Sequence, residues 1–348
     1  MVLHVVAKDD IRIPRPSGGE IPQLVMPCAR DFRERYDAMV NNPSDALACG
    51  AEIASLPQIY LTDWFTALAY ERVQQKAAHI AAMQKQYGWN WLESVYVVFA
   101  RALGFGVNSE PFERLAVSTP LYTMLKHRDS LVSVEAVLFG QAGFLDGLPE
   151  DVVSDPYVAR LIQDYDFYKA KFGLRKPVGL GWKMSRMRPQ NFPHRRIATL
   201  ASAVADGFTV GSSIFGVESR EEAEALFRMN LTGYWARRYN FGSAPERGVR
   251  ALSESSVSVL VINVVVPLLY AYGCANGDES MMQRAFDILR DIEPERNSVV
   301  GRFKTAGIEC GDAMTSQALI QLRRNYCDSR KCMYCRIGHR LLALKVRP

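Results

Sequence analysis

Apolar side chains recur at helical spacing through most of the chain, and in strand-like runs only near its start. Trp64, Leu68, Val73, Ala77, Ile80 and Met83 fall on one face of a helix for which Asp63 is the expected N-cap and Gly88 the stop. A second amphipathic helix is predicted over 91–103, stopped by Gly104. The same pattern predicts helices from Ser109 and over 131–139, 156–172, 197–205, 219–230, 257–272, 279–292, 298–306 and 314–324. Their connections are short and carry Gly, Pro, Asn and Asp. The start differs. Residues 2–6 are apolar and largely β-branched, closed by Lys8, Asp9 and Asp10, and read as a strand. Residues 11–13 and 24–26 are its expected partners, separated by the turn at Pro16-Ser17-Gly18-Gly19. Two or three such strands do not make a stable sheet alone.

The expected fold class is therefore mainly α with a small N-terminal β element. Residues 1–45 hold that element, read as the remnant of a larger β-containing unit. Residues 46–250 form a helical body, and 251–348 a C-terminal helical region. The apolar stretch 257–275 approaches the length of a minimal membrane span, but it contains Ser258, Asn263, Pro267 and Gly273 and lacks flanking basic anchors. A buried helix kinked or broken at Pro267 is expected, with no membrane association.

Composition changes this picture little. With 348 residues, 48% of them hydrophobic, the chain has material for one to three ordinary domains. Charge changes it more. Net charge is only +5, yet residues 169–196 carry nine basic side chains and no acidic one. Residues 323–348 carry eight basic side chains against Asp328 alone, so the rest of the chain is net acidic.

Seven cysteines include the scattered Cys28, Cys49, Cys274 and Cys310 and a cluster, Cys327, Cys332 and Cys335. No secretory signal precedes them, which favours a reducing, cytoplasmic setting where a tight cluster means metal more often than disulfide. The spacing Cys-x4-Cys-x2-Cys-x3-His admits two readings. As zinc, His339 completes a Cys3His set, one helical turn on from Cys335. As a 4Fe-4S cluster, a fourth thiolate is needed, and Cys310 is the nearest upstream candidate. Every side chain of the set is a good ligand, so a structural staple of the C-terminus is expected rather than a catalytic metal.

The first basic segment sets Lys183, Arg186, Arg188, Arg195 and Arg196 beside Trp182 and Phe192. Guanidinium groups next to aromatic rings suit phosphate backbones and stacked bases. Arg195 and Arg196 near a helix N-terminus would add charge to backbone N–H donors aimed at an anion. The competing expectation is that the arginines pair internally and that Trp182 and Phe192 anchor the loop to the core. His4, His79, His127 and His194 stand apart, and no phosphate-cradling loop, nucleophile elbow or metalloprotease helix is present, so no catalytic residue is assigned.

Several segments together resemble a known family. They are Gly104-Phe-Gly-Val-Asn108-Ser-Glu-Pro-Phe112-Glu-Arg-Leu-Ala116, Phe139-Gly-Gln-Ala-Gly-Phe144, Arg188-Pro-Gln-Asn-Phe-Pro193, Ser316-Gln-Ala-Leu-Ile-Gln-Leu322 and the cluster from Cys327 to Cys335 followed by Arg336-Ile-Gly. Across essentially the whole chain they resemble an uncharacterised bacterial family, the domain of unknown function number 2851. The resemblance implies no activity. It implies that residues 2–6 form a strand normally preceded by a β-rich segment, so that the chain begins late. That segment loosely resembles the core of restriction-type nucleases, some of which carry iron–sulfur staples. The leading expectation is a nucleic-acid-associated protein with a structural zinc or 4Fe-4S site, part of a nuclease-like protein in full form. The alternative is a helical scaffold or protein-interaction module with a purely structural metal.

Overall fold

The computed structural model describes residues 3–26, 30–41, 47–244 and 252–344. Val2, Cys28, Lys345 and Arg347, which figure in the expectations above, lie outside the described residues. The described chain is mainly helical, with one two-stranded sheet. In chain order come β1 (His4–Val6), β2 (Gln23–Val25), α1 (Arg30–Val40), α2 (Gln58–Tyr87), α3 (Trp91–Leu103), α4 (Ser109–Ser118), α5 (Leu121–Leu125), α6 (Leu131–Gln141), α7 (Glu150–Val153) and α8 (Pro156–Phe172). They are followed by α9 (Pro193–Ala205), α10 (Thr209–Ser213), α11 (Arg220–Ala225), α12 (Glu254–Leu260), α13 (Val266–Asn276), α14 (Glu279–Asp291), α15 (Ser298–Thr305), α16 (Ala313–Leu322) and α17 (Arg336–Leu344).

The β element differs in detail from its sequence pattern. β1 pairs with β2 in parallel, His4 opposite Gln23 and Val6 opposite Val25. Residues 11–13 stay outside the sheet, and the turn is closed by a lone bridge between Pro14 and Glu20.

Two compact units emerge. One gathers residues 1–69, 296–310 and 315–348; the other gathers 70–295 and 311–314. In the first, α2 opens on the Pro57 carbonyl, which accepts from Tyr60 and Leu61 N–H, so the helix starts well before Asp63. Asp63 instead lies inside the helix and pairs with Arg336 at 2.6 Å. In the second unit, local capping chemistry sets the helix ends. Asn90 accepts from Glu93 N–H at the start of α3, and Asp155 caps α8, which ends on a left-handed Gly173. Gly104 after α3 is required by space: a Cβ there would meet the Asn108 and Ser109 backbone.

The apolar stretch forms a helix over Glu254–Asn276 that is long and apolar enough to cross a membrane by length and composition, with 67% of its most apolar window buried within the protein. Pro267 does not break it. A π-turn over Val261–Val265 precedes the proline, a wider turn that relieves the clash of its ring with the previous carbonyls. Asn263, within the π-turn, accepts from Lys76 at 2.9 Å and donates to the Val259 carbonyl.

Candidate metal centre and basic segments

The cysteine-bearing tail is built onto the first turns of α2. Helix α16 widens into a π-turn over Arg323–Cys327, and a left-handed Arg330 turns the chain back toward Cys332. Arg330 and Lys331 N–H close this reversal on the Cys327 and Tyr326 carbonyls, and Cys335 N–H bonds the Lys331 carbonyl at 3.1 Å. Helix α17 then begins at once. Gly338 in its first turn lies against Cys332 so closely that a Cβ would collide with the Cys332 carbonyl oxygen.

Three aromatic and charged groups of α2 receive this fold. Tyr60 donates to the Arg336 carbonyl at 2.8 Å, and Asp63 holds the Arg336 guanidinium. The Trp64 indole carries that guanidinium 4.8 Å from its ring centre and meets the Tyr326 ring edge-on at 5.5 Å.

Electrostatics tie the thiols together. Burial raises the Cys327 thiol pKa most, and Cys49, Cys335 and Cys332 raise it further by repulsion of its thiolate. Burial likewise pushes Cys49 up to about 12, with Cys335 and Cys332 adding to the shift. Cys335 is raised by burial, against which the backbone N–H groups of Gly338 and Ile337 and the Trp64 side chain stabilise its thiolate. The Trp64 indole N–H is buried and has no other hydrogen-bond partner.

The upstream cysteine drawn into this group is Cys49, in the turn before a short 3-10 helix, where its carbonyl accepts from Glu52 and Ile53 N–H. The sequence offers Cys310 and His339 as fourth ligands and carries no sign of Cys49. No spacing rule links residue 49 to residue 327, and only folding brings them together. Cys310 is half-buried. His339 is exposed, its N–H bonded to the Cys335 carbonyl. All six described cysteines are free thiols. Among the described residues, no three His, Cys, Asp or Glu side chains stand in an arrangement that holds an ion as they are.

The first basic segment divides. Arg195 and Arg196, near the start of α9, are buried. Arg195 donates to the Trp235 and Arg238 carbonyls at 2.7 and 2.9 Å, and Arg196 donates to Asn191 Oδ1 at 2.7 Å while lying over the Phe105 ring. Burial, then its neighbour Arg195, pulls the Arg196 pKa down to about 10. Trp182 is half-buried, donates to the Ala142 carbonyl and stands edge-on to Phe112, anchoring the loop. Phe192 is half-buried at the N-cap of α9. Lys183, Arg186 and Arg188 are exposed. The buried Asn108 amide fixes the loop at Lys183, accepting from its N–H at 2.8 Å and donating to its carbonyl at 2.9 Å.

A second polar group, unmarked in the sequence, lies within the helical body. The Glu135 carboxylate on α6 accepts from Tyr157 at 2.9 Å, and the Trp235 indole donates to the same Tyr157 oxygen at 2.7 Å. Burial raises Glu135 to about 7. Nearby, His194 is walled by Phe139, Phe144, Trp235 and Phe241, and burial lowers its pKa to about 4.

A family model described as a protein of unknown function (DUF2851) matches residues 1–298. No curated protein matches the chain, and no solved structure does. The match includes Cys49 and ends before α16, so the Ser316–Leu322 motif and the cluster Cys327, Cys332 and Cys335 lie beyond it, not within it as the resemblance over the whole chain implies. The chain belongs to the DUF2851 family.

Proposed function

We propose that this DUF2851 member is a nucleic-acid-associated protein whose contact surface is the cysteine-bearing tail, held in shape by a structural metal. One observation carries the reading. Tyr334 at the tip of the reversal is 80% exposed, beside an exposed Met333. Around it Arg330 and Lys331 are exposed and have no carboxylate partner among the described residues. A bare aromatic ring framed by unpaired cations is the composition on which bases stack and phosphates dock, each stacked base contributing about 1–3 kcal/mol. Lys183, Arg186 and Arg188 supply a separate exposed cationic stretch.

The test is binding of labelled single- and double-stranded DNA and RNA by metal-replete full-length protein over a range of salt. Affinity is expected to fall steeply with salt, and Tyr334→Ala with Lys331→Glu to weaken binding at least tenfold. Absence of binding at low salt would sink the reading.

A second reading is favoured by Arg195 and Arg196. Both are spent on carbonyls and rings of their own helical unit, as a helical scaffold or interaction module requires. Under it, wild type and the Tyr334 variant alike fail to bind nucleic acid at low salt.

A further inference from the structure

Cys327, Cys332 and Cys335 are three of the four ligands that a tetrahedral ion or a 4Fe-4S cluster takes. We infer that Cys49 is the fourth, completing a four-thiolate site for a thiophilic metal. The inference rests on the metal half of the function proposed above and is independent of nucleic-acid binding.

Three observations converge. Cys49 lies within electrostatic reach of Cys335, Cys332 and Cys327, all within one compact unit. Donors surround Cys335 in the way a bound thiolate needs: two N–H groups at the start of α17 and the otherwise unpartnered, 6% exposed Trp64 indole. The backbone is also shaped for close approach, since Gly338 admits the Cys332 carbonyl where any side chain would block it. Four reduced thiols so placed have no disulfide to account for them.

Their spacing bears on which metal. One zinc ion holds sulfurs at about 2.3 Å, which sets them roughly 3.8 Å apart at tetrahedral angles. Taking up zinc therefore requires the side chains to rotate inward, because as they stand no three hold a common ion. An iron–sulfur cluster takes one thiolate on each iron, and its sulfurs stand farther apart. In either case the four thiols give up their protons to solvent as the metal binds.

The experiment uses full-length protein purified without oxygen, with metal content and absorption spectrum measured for wild type, Cys49→Ser, Cys310→Ser and His339→Ala. Wild type is expected to hold metal at a fixed stoichiometry. Cys49→Ser is expected to lose most of it, and the other two variants to keep it. Visible absorbance with iron identifies a cluster; colourless protein with zinc identifies a single ion. Retention of full metal by Cys49→Ser overturns the inference while leaving the metal in place, whereas metal-free wild type removes both. A second readout avoids variants that fail to fold. In wild type, alkylation mapped by mass spectrometry should spare Cys49, Cys327, Cys332 and Cys335 together until a chelator is added, while the exposed Cys274 reacts throughout. Labelling of Cys49 before the other three, with metal still bound, overturns it.

Discussion

Glu135 sits 4% exposed on α6 with a single phenol to steady its charge. Its carboxyl, raised by burial to about 7 from an ordinary 4.5, keeps a proton in the native state that the unfolded chain gives up. The stability it contributes is therefore present below pH 4.5 and is lost as pH rises to about 7. The shift corresponds to about 3 kcal/mol. Glu135→Gln keeps an acceptor for Tyr157 and removes the titration. Its stability advantage over wild type in urea unfolding should be near zero at pH 4.5 and grow to about 3 kcal/mol by pH 8. An advantage that does not change with pH would show Glu135 to be solvated. His194 works in the opposite sense: its pKa of about 4 means that its contribution is lost as pH falls from 6.5 toward 4. Gly140, one turn on from Ala136 on the same helix, offers a test of packing. A Cβ there would overlap the Tyr165 ring. Ala gains about 1 kcal/mol in helix propensity, but overpacking costs about 1–3 kcal/mol and the clash falls at the Cγ root of the ring, so Gly140→Ala should lower the unfolding midpoint.

At the scale of elements, the tail depends on α2 more than on its own short helix. The mutual grip of Tyr326, Trp64 and Arg336, with Tyr60 and Asp63 behind, fixes where α17 begins. Trp64→Ala removes a nearly buried indole and should cost about 3–5 kcal/mol in that unit, seen as early hydrogen exchange of α17 amides. Trp64→Phe keeps an aromatic face on a smaller ring and loses the N–H, so α17 should stay better protected than in Trp64→Ala while retention of the metal proposed above falls. If both variants exchange alike, the ring contacts are not what holds the helix.

Over the whole molecule, the helices were legible because their ends carry local signals. Asn90 with Glu93, Asp155 with Gly173, and Asp278 each cap the helix that the apolar spacing predicts. Asp63 misled for the same reason. It has the chemistry of a cap, but an apolar run beginning at Ile59 and Leu61 carries the helix past it, and tertiary pairing with Arg336 takes its charge. Internal pairing of Arg195 and Arg196 was one of the two expectations, but the partners were illegible because carbonyls of Trp235 and Arg238, some forty residues on, receive Arg195. The electrostatic influence of Cys332 and Cys335 on Cys49 was illegible because most of the chain separates them in sequence. The pairing of 24–26 with the first strand was legible, whereas 11–13 stays outside the sheet because β1 and β2 run parallel and the chain between them has to cross over.

The docking of Arg336 onto Asp63 and Trp64 also sets a timetable for synthesis. A ribosome adding about 5–20 residues per second needs roughly 15–50 s to travel from Trp64 to Arg336. For that interval Trp64 lacks the guanidinium that lies over it in the folded protein, and a message cut short before α17 yields a product that never gains it.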